Sequence, residues 1–289
     1  MQAIGHVGAY QRRRGGREVA GGGMINRCDF LKLTVGAAGI FSGGLLTACG
    51  AVGETPEGRQ EVGSASERGR LLVRPSPSPS EDATVHTGLR PLGLGSGRDG
   101  LLYVPAGYAA EEKAPLALTL HGAGGNARSG ISHFLRLADE AGVVLLAPES
   151  RGRTWDVLVG GYGPDVGFID RALGQTFSRL AVDAGRLAIT GFSDGASYAL
   201  SLGLTNGNLF THLIAFSPGF MAPAQRRGKP PIFVSHGTRD GVLPIGRSSR
   251  RIVPQLDREG YEVRYREFDG PHTVPQSIAR DALKWFTSG

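Results

Sequence analysis

Cysteine is almost missing from this chain. Of 289 residues only Cys28 and Cys49 carry a thiol. Everything after Cys49 is thiol-free, which excludes a disulfide framework or a cysteine metal site there. Also missing is an H-E-x-x-H string or any other clustered His/carboxylate set of a metallohydrolase. No metal site is therefore expected. A basic stripe is missing too. The net charge is +6, but residues 1–48 hold six basic residues (Arg12, Arg13, Arg14, Arg17, Arg27, Lys32) and only two acids. The rest has 26 basic and 24 acidic residues, which excludes nucleic acid as a partner on charge grounds. No long unbroken apolar run occurs. The stretch Leu33–Leu46 is too short and too rich in small residues for a comfortable membrane span. Internal repeats are absent, and nothing in the sequence speaks to oligomeric state.

What is there begins with a leader. Met24-Ile-Asn-Arg27-Cys-Asp-Phe-Leu-Lys32 reads as a charged start, followed by the diluted apolar stretch. That is the order of a secretory signal. Leu46-Thr47-Ala48-Cys49 resembles the lipobox of bacterial lipoproteins. The resemblance implies cleavage before Cys49, acylation of Cys49, export, and anchoring to a membrane of the bacterial cell envelope. Asn26–Lys32 is similar to a twin-arginine export motif with Cys28 in place of one arginine, which leaves Sec and Tat export both open. Met1 and Met24 both remain possible starts. From Ala51 to Asp82 there is little apolar periodicity, and the run Pro75-Ser-Pro-Ser-Pro-Ser80 favours an extended, solvated chain. The expected organisation is a leader over 1–48, a lipidated cysteine and disordered tether over 49–82, and a globular domain over 83–289.

In that domain short apolar runs alternate with amphipathic stretches. Strands are expected at 101–104, 116–120, 143–147, 187–190, 213–216, 232–235 and 262–268. Helices are expected at 131–141, 166–181, 196–204, 245–259 and 275–286. Strands that are apolar throughout imply burial on both faces, as in a parallel sheet covered by helices. The expected class is α/β and doubly wound, with ligand chemistry at the carboxyl ends of the strands.

Gly191-Phe192-Ser193-Asp194-Gly195 matches G-x-S-x-G between an apolar strand and a helix, the context in which that motif presents a nucleophile. A serine hydroxyl needs a base. His272 follows the last strand and precedes the closing helix, whereas His121 and His236 end strands before a glycine and suit loop shaping. Asp240, in the loop after the Ile232 strand, is the candidate to orient His272; Asp269 is the alternative. The order Ser193, Asp240, His272 is that of α/β-hydrolases. The loop His121-Gly122-Ala123-Gly124-Gly125 is suited to oxyanion donation, through the backbone N–H groups of Ala123 and Asp194. It lacks the Lys-Ser/Thr that a phosphate loop needs. Trp155, Phe220 and Met221 are candidates for lining a substrate pocket. No insertion is large enough for a big lid.

These segments, together with His236-Gly237-Thr238-Arg239-Asp240 and Gly270-Pro271-His272, resemble the phospholipase/carboxylesterase group of the α/β-hydrolase superfamily over about residues 98–288. The resemblance implies cofactor-free hydrolysis of carboxylic esters through an acyl-enzyme. Polyhydroxyalkanoate-depolymerase-like and feruloyl-esterase-like enzymes have similar motifs. Acyl transfer or peptide cleavage needs the same residues. A non-catalytic envelope-binding module is the contrasting class. Asp194 stands where many relatives carry Gln, Ala or Met, and an inward carboxylate there would disfavour anionic acyl groups.

Overall fold

The computed structural model describes residues 64–76, 85–95 and 97–288. The leader, the lipidation candidate Cys49 and the tether segments 50–63 and 77–82 lie outside the described residues.

Eight strands form one sheet. They are β1 (Gly88–Pro91), β2 (Gly100–Val104), β3 (Ala114–Leu120), β4 (Val144–Pro148), β5 (Val182–Phe192), β6 (His212–Phe216), β7 (Ile232–Gly237) and β8 (Val263–Phe268), in the order β1-β2-β4-β3-β5-β6-β7-β8. β1, β2 and β4 pair antiparallel, and β4, β3, β5, β6, β7 and β8 run parallel. The helices α1 (Ala127–Leu135), α2 (Ala138–Ala141), α3 (Pro164–Arg179), α4 (Asp194–Thr205), α5 (Ser249–Arg258) and α6 (Gln276–Thr287) cover the sheet, and a single helical turn over 64–67 precedes β1.

The side-chain period of two divides the strand residues between two cores. Leu116, Leu118, Leu146, Ile189, Leu213 and Val234 face one layer, with Ile169, Leu173, Tyr198 and Ile252 of α3, α4 and α5. Ala117, Leu145, Ala188, Ile214 and Phe233 face the other, with Ile131 and Phe134 of α1 and Leu283 and Phe286 of α6. Burial on both faces is what the apolar strands implied. This is the α/β-hydrolase fold.

Several boundaries differ from expectation for local reasons. β1 was not foreseen; it is a short edge strand with no apolar run. The helix expected over 131–141 is two helices. α1 starts earlier because Asn126 and Ser129 form a reciprocal cap, the Asn126 side chain accepting from Ser129 N–H and Ser129 Oγ from Asn126 N–H. The helix expected over 245–259 is a 3₁₀ turn, Ile245–Arg247, followed by α5, because Ser248 between them leaves helical geometry at φ −120° and ψ −109°.

The expected tether needs a larger correction. Residues 64–76 pack onto the domain. Leu71 is fully buried. Its N–H donates to Asn206 Oδ1 at 3.0 Å, and Asn206 Nδ2 returns a bond to Gly69 O at 2.7 Å. Asp170 Oδ1 accepts from the amides of Leu72 and Val73. One amide side chain at the end of α4 and one carboxylate on α3 thus satisfy an irregular segment that lacks a strand partner.

Candidate active site

The topology decides which loops meet. β3 is followed by β4 on one side, and the chain then crosses back to β5 on the other, so the crevice lies above the ends of β3 and β5. Their register pairs Leu120 with Gly191. The glycine loop after β3 therefore faces the serine turn after β5. A Cβ built on Gly122 would lie 3.5 Å from Ser193 Cβ. On the other side, Gly237 of β7 pairs with Phe268 of β8, so the Asp240 and His272 loops are also neighbours. A Cβ at Gly237 would overlap Gly270 O, so only glycine permits that approach.

Ser193 sits at φ 57° and ψ −120°, outside the regions an L-residue ordinarily adopts. Such strain costs on the order of 1–3 kcal/mol and persists only where the surroundings enforce it. Here they do. Ser193 N–H donates to Phe216 O at 2.9 Å, and the helix bonds of Ala196 and Ser197 both return to Ser193 O. A Cβ at Gly191 would strike Gly195, and one at Gly195 would come within 2.6 Å of His121 O. The two motif glycines thus let the turn close.

His272 Nδ1 donates to Asp240 Oδ2 at 2.5 Å. That fixes the tautomer and leaves Nε2 for proton transfer. Asp240 Oδ1 accepts from the amides of Val242 and Leu243, at 2.9 and 2.8 Å. Burial pushes the Asp240 carboxyl up. The His272 bond, the two amides and the charge on His272 outweigh it and hold the group below its ordinary value. The alternative acid, Asp269, instead pairs with Arg239 in an exposed ion pair. The His272 ring lies against Phe192, with centroids 4.6 Å apart, which couples its position to the residue before the nucleophile.

Among the described residues, the N–H groups of Ala123 and Asp194 have no protein acceptor, while Gly124 and Gly125 donate to Arg153 O and Gly122 O. Two unspent donors beside a candidate nucleophile suit a developing oxyanion. The Asp194 carboxylate does not hang loose in the crevice. Its Oδ2 accepts from Thr154 Oγ1 at 2.6 Å.

His121 and His236 shape loops, as expected, but His236 does more. His121 Nε2 accepts from Ser150 N–H at 3.0 Å, so Nδ1 carries the proton and donates to Gly122 O. Burial lowers its basicity, which keeps the ring neutral for that task. His236 is wholly buried. Its Nε2 lies 2.8 Å from Leu243 O and 3.2 Å from Asp240 Oδ2, the oxygen that also serves His272. Arg98 clamps the glycine loop from outside, donating to Ser150 O and, at 2.9 Å, to Gly125 O. Arg98 and Thr154 had no sequence signal, since neither belongs to a motif. His236 lay inside one, at strand-end spacing from Asp240.

Trp155 is not a pocket residue. It is fully buried, stacks on Tyr198 with centroids 5.0 Å apart, and donates from Nε1 to His121 O at 2.8 Å. Its size and its one polar atom are both spent on supporting the glycine loop from below. Phe220 stands beside the first turn of α4, its N–H toward Ser197 Oγ at 3.4 Å, with its side chain partly exposed. Met221 packs against the core.

The phospholipase/carboxylesterase family model matches residues 167–284, which include Ser193, Asp240 and His272. The chain is 28% identical over 178 residues to a probable feruloyl esterase C of Aspergillus niger, covering 59% of this chain and 64% of that protein. It is 29% identical over 157 residues to the bifunctional acetylxylan esterase/xylanase XynS20E of Neocallimastix patriciarum, covering 52% of this chain and 22% of that one. The matches thus span less than two thirds of these relatives' own length. Among solved structures, esterase PE8 superimposes with a TM-score of 0.54 at 23% identity, over 65% of this chain and 97% of that one. A CE1 ferulic acid esterase from Anaeromyces mucronatus gives 0.54 at 15% identity, over 75% and 100%. At these identities the structural likeness is one of fold. In fold, matched segment and site order together, the chain is similar to the phospholipase/carboxylesterase group of α/β-hydrolases.

Proposed function

We propose that the protein is a serine esterase that hydrolyses carboxylic esters through an acyl-enzyme. The observation that carries this is a strained Ser193 between two unspent amides, with a His272–Asp240 pair on the neighbouring loops. Ser193 Oγ attacks the ester carbonyl while His272 Nε2 takes its proton. The charged imidazolium is stabilised by Asp240. The tetrahedral oxyanion is received by Ala123 and Asp194 N–H. His272 then protonates the leaving alcohol, and water attacks the acyl-enzyme by the same route in reverse. The matches to a feruloyl esterase and an acetylxylan esterase favour esters carried on a larger molecule, and a partly exposed Phe220 is suited to an aryl acyl group. A fluorophosphonate probe is expected to label the protein and to fail on Ser193→Ala. Labelling that survives in Ser193→Ala would overturn the assignment.

The same reading places the enzyme outside the cytoplasm, held to a bacterial envelope membrane by acylated Cys49. The support is the Leu46-Thr-Ala-Cys49 string behind a signal-like leader. Cys49→Ser should release the protein from the membrane fraction; unchanged retention contradicts the anchor.

A further inference from the structure

The packed N-terminal segment builds a second site. Between it and the loop after β6 lies a cavity of about 580 Å³, lined among others by Arg68, Arg70, Gln225 and Arg227. This cavity is remote from the nucleophile. Leu71 is tied to Asn206, which caps the far end of α4, and Arg227 N–H donates to Leu204 O there. Ser193 sits at the other end of this 12-residue helix, which spans about 18 Å.

The charges in the cavity are unbalanced. Among the described residues none of the lining Arg68, Arg70 and Arg227 joins an ion pair. Arg226, next in the chain, is instead matched by Glu259 at 2.5 Å. The Nε atoms of Arg70 and Arg227 are covered and unpartnered. Among the described residues the Arg68 guanidinium reaches Ser64 Oγ alone, and that of Arg227 Gln225 Oε1 alone. Partial burial, then the charges of Arg227, Arg74 and Arg68, lower the proton affinity of Arg70, as expected when cations crowd without a counter-ion.

We propose that this cavity is an anion site that takes a phosphate group between Arg70 and Arg227, with Arg68 at its mouth. A carboxylate would neutralise one guanidinium. A phosphate monoester brings close to two charges and three acceptor oxygens, matching several guanidinium forks at once. The group could belong to a soluble phosphate compound or to a lipid headgroup, whose diester keeps one charge and two free oxygens for the same forks.

The test titrates the full chain calorimetrically with pyrophosphate at low ionic strength, where screening is weakest. In parallel the chain is sedimented with vesicles of phosphatidylglycerol or phosphatidylcholine. Pyrophosphate should bind, and Arg70→Gln with Arg227→Gln should weaken it at least about tenfold, as expected for losing charge-assisted bonds. An unchanged circular dichroism spectrum reports an intact fold. The exposed Arg68→Gln should weaken binding less, by about two- to threefold, and guards against misfolding of the double variant. Wild-type protein that does not bind pyrophosphate, or a double variant that binds it equally, overturns the proposal. A preference for phosphatidylglycerol that the double variant loses assigns the phosphate to a lipid headgroup. Pyrophosphate binding with no vesicle difference between the proteins assigns it to a soluble compound.

Discussion

Asp240 accepts four hydrogen bonds or near bonds, and its two oxygens divide the work. Oδ1 holds its own loop through the Val242 and Leu243 amides. Oδ2 faces two imidazoles, His272 at 2.5 Å and His236 at 3.2 Å. Asn in its place can keep the loop or accept from His272, but its amide N–H₂ presents donors to the other side. Asp240→Asn should therefore lower kcat by about 10⁴-fold with little change in KM, since orientation and charge stabilisation are spent in the transition state. Steady-state kinetics on a p-nitrophenyl ester checks this; a loss below about tenfold would shift the role of the acid elsewhere. The strained turn at Ser193 and the meeting of Asp240 with His272 were legible in the sequence because motif, order and strand ends all constrain them. Trp155 was misread because its position after β4 is a loop position, and sequence spacing does not say that this loop folds back under the sheet end.

The loop after β4 is held by two buried carboxylates at the scale of one element. Asp165, near the start of α3, accepts from the amides of Arg151 and Asp156. Asp156 in turn accepts from the amides of Gly163 and Asp165 and from Tyr198 OH. Burial raises Asp165 to about 6, only partly opposed by the Arg151 amide, and the nearby Asp156 charge raises it further. Burial also raises Asp156. A carboxyl whose folded value lies above its unfolded value binds more protons when folded. Stability is then fully present below about pH 4 and lost as pH rises through about 6. Asp240, held low, works the other way at the acid end, where its unfolded form still binds protons near pH 4; it offsets a little of the decline there and adds no slope above about pH 5. The urea midpoint should fall between pH 4 and pH 6 by the equivalent of about 2–3 kcal/mol. Asp165→Asn should flatten that decline, and an undiminished slope in the variant would refute the cause. This pairing could not be seen in the sequence, where two aspartates nine residues apart carry no pattern. The Asn206 and Asp170 anchors of residues 64–76 were hidden for a similar reason. A segment with little apolar periodicity reads as a tether, yet a single buried Leu71 and a few side-chain acceptors suffice to dock it.

For the whole molecule, the alternation of apolar strands and amphipathic helices was enough to imply a doubly wound parallel sheet, because burial on both faces leaves few other arrangements. The antiparallel edge strand β1 was not legible, since an edge strand needs no apolar run to survive, whereas its neighbour β2 was. The docked segment has one further consequence. It fixes the point at which the polypeptide joins the domain to the Asn206 end of α4, and Ser193 occupies the other end. A pull on the chain ahead of residue 64 would therefore load the Leu71–Asn206 bonds first, at the end of α4 opposite Ser193.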